Sequence, residues 1–229
     1  MAVYAGTSGF SYDSWRGSFY PARLAAGKML RYYSERLPAV EMNGSFYRTP
    51  PESTLLGWAE AVPAGFRFCF KAHRGLTYSA AAFPKLELAA DLGARLRVVG
   101  DRLGPVLVQF PPTAPPDHGL LDALLEALGL PAAVEPRSEA WFGPALEDVL
   151  RRRVAALVVT DEEKWPVAPE LETAPFSYFR LRRDYSEEEL GAWARRLAAP
   201  AARGELHVFF KHEPEAPSRA LRLLELLAA

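Results

Sequence analysis

The segment Leu157-Val158-Val159-Thr160-Asp161 is a short apolar run that ends in polar residues, and it is one of eight such runs along the chain. The other seven occupy residues 3–8, 39–43, 66–71, 106–109, 133–137, 178–182 and 206–211. Amphipathic stretches rich in Ala and Leu separate most of them. Eight apolar strands that alternate with helices predict a closed parallel (β/α)8 barrel of the TIM type, with chemistry at the polar strand ends.

The length of 229 residues suits one domain, so we predict a single compact α/β barrel over residues 1–229. Barrels of this type usually have ~250 residues, and a shorter chain must reduce or lose a connecting helix. Residues 162–175 are polar and rich in Pro, and they carry no apolar helical stripe. We therefore predict that the barrel lacks a regular helix between its sixth and seventh strands.

Capping boxes indicate where two of the connecting helices begin. Thr49-Pro50-Pro51-Glu52 and Ser186-Glu187-Glu188-Glu189 both place a hydroxyl residue three positions before a Glu, which satisfies free amides at a helix start. The apolar pattern predicts further helices near residues 86–103 and over residues 141–152.

Composition restricts the compartment and the general type of partner. The formal net charge of −1 gives no overall attraction to nucleic acid or to a membrane surface. No apolar run approaches the ~20 residues that span a bilayer. The single cysteine, Cys69, excludes a disulfide within the chain and is typical of a reducing cytoplasm. We expect a cytoplasmic protein that does not associate with membranes.

Asn43 and Gln109 are the only side-chain amides in the protein. Loss of thermolabile amides is a trend in thermophilic proteins, so we expect thermal stability. The two that remain stand at the ends of the second and fourth predicted strands, which indicates specific tasks in a binding site. A hydrogen bond to a loop backbone is an equally good explanation for either residue alone.

Three predicted strands end in carboxylates, namely Glu41, Glu135 and Asp161. Barrel closure brings such strand ends to one mouth, where carboxylates are candidates for proton transfer. Cations at other strand ends would make the same mouth suitable for an anionic ligand. These candidates are Lys71, Arg137, Arg180 and Lys211. The alternative is that carboxylates and cations close the barrel end as structural salt bridges.

Aromatic residues are common on the loops that follow the predicted strands. Their rings can stack on a sugar or a base. With the two amides and the cations, they complete the predicted substrate-binding set. The aromatic members are Tyr12, Trp15, Phe46, Tyr47 and Trp141.

Sequence motifs for cofactor binding are absent. The chain has no phosphate-loop, dinucleotide-binding or nucleophile-elbow pattern, so no cofactor is required or identified. A hard divalent metal such as Mg²⁺ or Mn²⁺, held by Glu41, Glu135 and Asp161, is an open alternative. Cys69 lies between Phe68 and Phe70, which favours a buried packing role over a reactive thiol.

Several motifs resemble those of the YecE-like family, domain of unknown function 72 (DUF72). They are Gly6-Thr7-Ser8-Gly9-Phe10-Ser11-Tyr12, Glu41-Met42-Asn43-Gly44-Ser45-Phe46-Tyr47-Arg48, Leu107-Val108-Gln109-Phe110-Pro111-Pro112, and Val134-Glu135-Pro136-Arg137 with Trp141. The resemblance covers nearly the whole chain and implies a TIM-barrel-like fold. It implies no activity, because proposals for the family depend on a likeness to barrel nucleases at the level of the fold.

The chain departs from the pattern of that family in three places. Thr77-Tyr78 stands where the family usually has Thr-His, Arg182 where it often has His, and Phe210-Lys211-His212 where it favours Phe-Asn-Asn. The missing imidazoles and amides weaken the interpretation as a metal-dependent nuclease. The replacements make the predicted mouth more cationic, which supports anion binding.

Together these observations predict a hydrolase-like enzyme that acts on a phosphorylated, sugar-containing or nucleic-acid substrate at the mouth of the barrel. One alternative is a non-catalytic barrel that binds nucleic acid or another anionic ligand. Another is a partner-binding scaffold, which would expose an apolar patch around Trp15 and Phe19. The sequence does not decide the substrate or the oligomeric state.

Overall fold

The computed structural model of the protein describes residues 2–78 and 85–228. Its strands are β1 (Val3–Ser8), β2 (Ala39–Met42), β3 (Arg67–Phe70), β4 (Val106–Phe110), β5 (Ala132–Pro136), β6 (Ala156–Asp161), β7 (Phe176–Leu181) and β8 (Glu205–Phe210). Its α-helices are α1 (Met29–Ser34), α2 (Glu52–Glu60), α3 (Lys85–Leu96), α4 (His118–Leu128), α5 (Pro144–Arg153), α6 (Glu187–Arg203) and α7 (Ala216–Ala228).

The strands form one parallel sheet in the order β3-β2-β1-β8-β7-β6-β5-β4. Its two edges meet through backbone hydrogen bonds, from Gly104 N to the Phe68 carbonyl (2.9 Å) and from Ala72 N to the Leu107 carbonyl (2.8 Å). These bonds bring β3 against β4 and close the barrel. The predicted α/β barrel of the TIM type is confirmed.

Alternation along the strands divides the apolar side chains into two groups. One group, which includes Ala39, Cys69, Leu107 and Phe209, packs inside the barrel. The neighbouring residues on the same strands, such as Val40, point outward and pack with the helices in a larger cluster. Residues at every second position of a strand therefore face the barrel axis, and this rule decides which polar residues reach the mouth.

The segment between β6 and β7, residues 162–175, contains no helix, as predicted. Helix α3 ends at Leu96, earlier than the predicted end near residue 103, because the chain continues as 3-10 turns in which Gly100 has a φ of +62°. Helix α5 begins at Pro144, whereas the predicted helix began at residue 141. No described helix is long and apolar enough to cross a bilayer.

The two predicted capping boxes differ in outcome. The Ser186 hydroxyl accepts a hydrogen bond from Glu189 N (3.3 Å), and the Glu189 carboxylate accepts one from Ser186 N (2.8 Å), so this box is confirmed. The Thr49 box is wrong, because α2 begins at Glu52 and Pro51 is its N-cap in an extended conformation. The cause is steric. Thr49 and Pro50 each precede a proline, and a residue in that position is disfavoured in the helical conformation, so the helix begins only after Pro51.

Two mid-helix glycines test how closely the helices pack around the barrel. A Cβ at Gly93 would lie 2.1 Å from the Leu128 carbonyl oxygen, whereas a Cβ at Gly57 would have no heavy atom within 4 Å. We expect Gly93→Ala to lower the free energy of unfolding by about 1–3 kcal/mol through overpacking. Gly57→Ala should raise it by up to about 1 kcal/mol through helix propensity. Urea unfolding measures both, and equal effects would contradict the packing of α3 against the end of α4.

Candidate functional site

Strand register brings several polar side chains into one layer at the carboxyl-terminal end of the barrel. Ser8 of β1 pairs with Glu41 of β2, and Gln109 of β4 pairs with Glu135 of β5. Thr160 of β6 pairs in the same way with Arg180 of β7. Because these residues occupy inward positions, their side chains meet on the barrel axis, below the mouth.

Arg180 is the centre of this layer, and only 2% of its surface is exposed. Its Nε and Nη2 donate to Glu41 Oε2 and Oε1, both at 2.9 Å. Its Nη1 donates to Glu135 Oε2 at 2.6 Å. One buried guanidinium therefore joins carboxylates from β2 and β5, on two sides of the barrel.

Glu41 has no accessible surface and accepts three hydrogen bonds besides those from Arg180. Ser8 Oγ (2.8 Å) and Asn43 Nδ2 (3.2 Å) donate to Oε1, and the Tyr178 hydroxyl donates to Oε2 (2.9 Å). Burial raises the pKa of Glu41, but the charges of Arg180 and Arg182 and the hydrogen bonds from Arg180 and Ser8 outweigh burial and lower it to about 2. The carboxylate is held ionised, and its acceptor positions are occupied.

Glu135 has a similar environment. Oε1 accepts from Thr160 Oγ1 (3.1 Å) and Arg137 Nε (3.3 Å), and Oε2 accepts from Gln109 Nε2 (2.8 Å) as well as from Arg180. Burial raises the pKa of Glu135, but the guanidinium groups of Arg180 and Arg137 outweigh it, so the pKa is lowered. This carboxylate is also ionised and saturated with donors.

Above these ion pairs lie cations whose positive charge is not fully balanced by neighbouring carboxylates. In the described part of the chain no carboxylate lies within 4.0 Å of Lys71 Nζ, which instead sits 4.0 Å from the centre of the Phe46 ring. Burial and then Arg180 lower the pKa of Lys71 to about 8. The same two causes lower the pKa of Arg182 to about 10. Nη1 of Arg182 donates to Ser8 Oγ (2.7 Å), but its buried Nε has no partner among the described residues.

The charges of this layer do not cancel. Within the layer four cations face two carboxylates, which leaves an excess of two positive charges when Lys71 is protonated, and Glu162 on the rim is a further carboxylate that acts on Arg182. Arg137 also lies over the Trp165 ring, with its guanidinium carbon 4.6 Å from the ring centre. The cations are Lys71, Arg137, Arg180 and Arg182, and the carboxylates are Glu41 and Glu135.

Asp161 does not join this layer, so the prediction that it shares the mouth with Glu41 and Glu135 is wrong. It pairs with Arg183 (2.9 Å) and accepts from the Tyr185 hydroxyl (2.8 Å). Strand alternation is the reason, because Thr160 takes the inward position of β6 and Asp161 the next one.

Two of the predicted aromatic substrate-binding residues are almost wholly buried. Trp15 and Trp141 are buried, and their indole nitrogens donate to the carbonyls of Glu213 and Ala114, both at 3.1 Å. These bonds hold loops in place, and Trp141 also lines a cavity with Tyr78 and Phe110. Lys211 is also set apart, since it pairs with Glu213 (2.9 Å) on the outer rim.

The remaining aromatic candidates border the mouth. The Tyr12 hydroxyl donates to the Ser8 carbonyl (2.8 Å), and its ring stacks on His212. Phe46 packs edge-to-face with Tyr47, which is 69% exposed. Phe46 also contacts Tyr78, which sequence reasoning did not include.

A metal held by Glu41, Glu135 and Asp161 does not fit the structure. Asp161 lies outside the layer, and the other two carboxylates are occupied by hydrogen-bond donors. Over residues 2–78 and 85–228, no group of three or more His, Cys, Asp or Glu side chains is arranged to hold an ion.

Sequence reasoning missed several members of the layer, for a common reason. Ser8, Thr160 and Tyr178 are uncharged residues inside or at the end of apolar runs, and nothing in their type marks them. A usable signal was present, because Tyr178 stands two positions before Arg180 and must face the same side of the strand. Trp165 lies on the loop after β6, where no strand period applies.

The ion pairs of Arg180 can be tested by Arg180→Met. Leaving two buried carboxylates without their cation should cost about 3–5 kcal/mol of unfolding free energy. Arg31→Met, which breaks an exposed pair with Glu35, should cost at most about 1 kcal/mol. The wild-type protein should lose stability as the pH falls from 4.5, the ordinary pKa of Glu41, towards its lowered pKa of about 2. An Arg180→Met effect no larger than that of Arg31→Met would contradict the assigned role.

Comparisons with known proteins agree with this architecture. The chain is 28% identical to UPF0759 protein YunF of Bacillus subtilis over 152 residues, which is 62% of the chain and 53% of YunF. It is 28% identical to UPF0759 protein YecE of Escherichia coli K12 over 114 residues, 50% of the chain and 39% of YecE. The aligned part thus spans about half or less of these relatives.

Solved structures show the same fold. A DUF72 family protein of Thermotoga maritima, TM1631, is similar with a TM-score of 0.88 and 27% identity, over 100% of both chains. A DUF72 family protein of Enterococcus faecalis, EF0366, has a TM-score of 0.79 and 24% identity, over 99% of this chain and 96% of that one. The model of the family described as "Protein of unknown function DUF72" matches residues 4–229, and the chain therefore belongs to the DUF72 family.

Proposed function

We propose that the protein is an enzyme that binds the anionic group of a phosphorylated, sugar-containing or nucleic-acid substrate at the mouth of the barrel. The observation that carries this proposal is the excess of cations over carboxylates around Arg180. Uncompensated positive charge at a partly buried position strengthens the attraction of an anion, because the local dielectric constant is low.

Three side chains are suited to hold the anion directly. Arg180 is buried and already bound to two carboxylates, so it acts by positioning them. Arg182 has an unpartnered Nε, Arg137 is only partly engaged by Glu135, and Lys71 has no carboxylate partner within 4.0 Å in the described chain. A bound anion would supply the compensation that these cations lack.

Lys71 is also the best candidate for proton transfer. Its pKa of about 8 lies near neutral pH, where a general acid or base is most effective. Glu41 and Glu135, the candidates from sequence, are ionised and saturated with donors, so we assign them to holding Arg180. In a hydrolysis, water attacks, the bond to the leaving oxygen breaks, and the Lys71 ammonium protonates that oxygen. A proton of the attacking water then restores the ammonium group.

The aromatic residues beside Lys71 support the sugar-containing part of the proposal. The Phe46 ring packs against both Tyr47 and Tyr78, each at an edge-to-face angle. Tyr47 is 69% and Tyr78 42% exposed, and exposed rings next to an anion site suit a sugar or a base.

A non-catalytic, anionic-ligand-binding barrel is the second candidate. The saturation of Glu41 and Glu135 favours it, because no free carboxylate remains in the layer to act as a base. The scaffold alternative has no such support. It requires an exposed apolar patch around Trp15 and Phe19, and Trp15 is fully buried while Phe19 is partly buried against the core.

Arg182→Met tests the proposed anion site, with Arg183→Met as a matched control that pairs with Asp161 outside the layer. Wild-type protein should be stabilised against heat by at least one of ribose 5-phosphate, AMP and a 5′-phosphorylated oligonucleotide at constant ionic strength. We expect Arg182→Met to weaken this binding about tenfold or more, because one charge is lost. Binding that survives Arg182→Met unchanged, or no binding by any probe, would rule out the site.

The role of Lys71 predicts a pH dependence. Lys71 faces Arg180, Glu41, Glu135 and Arg137, and an anion favours its ammonium form. Affinity should therefore be constant at lower pH and decline as the pH rises through the Lys71 pKa of about 8. Lys71→Met should remove this decline.

Turnover separates the two candidate functions. If the protein is the proposed enzyme, Lys71→Met should lower kcat by about 10²–10⁴ with the probe that binds, because a general acid is lost. Binding without any product from the wild-type protein would favour the non-catalytic barrel. Unchanged kcat in Lys71→Met would remove Lys71 from the mechanism.

A further inference from the structure

The amount of uncompensated charge restricts the kind of anion that fits. The layer around Arg180 carries an excess of two positive charges with Lys71 protonated. A phosphate monoester carries about −1.5 to −2 at pH 7, whereas each phosphate of a nucleic-acid backbone is a diester with a single charge. Of these two, only the monoester can balance the excess positive charge of the layer with a single phosphate group.

The outer rim of the mouth has a different charge character. A cavity of about 660 Å³ beside Arg182 is lined by four carboxylates, and its other cations are Lys164, Arg183 and Lys211. Arg183 and Lys211 are already paired, with Asp161 and Glu213. The four carboxylates are Glu162, Glu163, Asp184 and Glu213.

Because four carboxylates and four cations line it, the rim adds no net positive charge that would attract a long polyanion. A nucleic-acid strand that places one phosphate in the mouth must carry its neighbouring phosphates across these carboxylates. Nucleic-acid-binding proteins instead present a continuous basic stripe and a basic overall charge. This chain has a net charge of −1.

The contacts of Arg182 and Lys71 add a geometric argument. The Arg182 guanidinium reaches from the rim cavity to Ser8 in the buried layer, at 2.7 Å, with its Nε unpartnered. Lys71 approaches the same layer beside Phe46. A phosphate monoester offers three acceptor oxygens to such donors, whereas a diester phosphate has two non-bridging oxygens that share a single charge.

We propose, on the basis of the function proposed above, that the mouth takes the phosphate monoester dianion of a small sugar-containing molecule and excludes the phosphodiester backbone of nucleic acid.

Three minimal probes test this inference without depending on the sugar. Methyl phosphate is a monoester dianion above its second pKa of about 6, whereas dimethyl phosphate and methyl sulfate are monoanions of similar size. Ligand-observed NMR at about pH 7, between that pKa and the Lys71 pKa of about 8, measures their affinities for the full chain. We expect methyl phosphate to bind at least about tenfold more tightly than either monoanion.

A fourth probe is a thymidine dodecamer without terminal phosphates. It distinguishes the monoester inference from the broader proposal that the mouth binds an anion. Absent or weak binding of the dodecamer, with tight binding of methyl phosphate, supports both the monoester inference and the broader proposal of an anion site. Tighter binding of the dodecamer, or equal binding of the three small anions, overturns the monoester inference but leaves an anion site. If no probe binds, the anion site itself is refuted.

Lys71→Met tests whether the preference for methyl phosphate over dimethyl phosphate arises in the layer around Arg180. Removing one positive charge should weaken the binding of methyl phosphate by a larger factor than the binding of dimethyl phosphate, because the dianion interacts more strongly with each cation. Lys28→Met, at an exposed lysine before α1, is the matched control and should change neither affinity. A preference for methyl phosphate that is unchanged in Lys71→Met would contradict the assignment to this mouth.

Discussion

The buried guanidinium of Arg180 is the interaction on which the rest of the site depends. It crosses the barrel from β7 to carboxylates on β2 and β5, and it is the counter-ion that lets Glu41 and Glu135 remain ionised without contact with water. Isolated buried charges are strongly unfavourable, so all three groups need one another. Ser8, Asn43, Gln109, Thr160 and Tyr178 then satisfy the remaining acceptor positions of the carboxylates.

This arrangement leaves the cations, and not the carboxylates, with unused hydrogen-bonding capacity. Groups that are saturated with donors cannot also serve a substrate, whereas the cations above them have fewer partners. Lys71 and Arg182 have lowered pKa values because burial and Arg180 both disfavour additional positive charge. A bound anion would relieve that cost, and the proposed phosphate monoester would match the excess of positive charge within the layer.

The structure also shows why candidate residues of one type have different roles. Asp161 and Thr160 are adjacent on β6, yet one binds Arg183 outside the layer and the other Glu135 inside it. Trp15 and Trp141 are on loops next to the mouth, but their nitrogens hold backbone carbonyls and their rings are buried. Proximity of a residue to a strand end therefore does not decide its orientation.

The sequence by itself determined the barrel and the missing helix, because alternation of apolar strands with amphipathic segments is a local property of the chain. It also identified Glu41, Asn43, Gln109, Glu135, Arg137 and Arg180, whose strand-end positions converge in any closed parallel barrel. Only the tertiary structure decided that the carboxylates are occupied by Arg180, that Asp161 is excluded and that Lys71 lacks a carboxylate within 4.0 Å in the described chain. Ion pairing and desolvation depend on distances between residues far apart in the chain, and no local pattern encodes them.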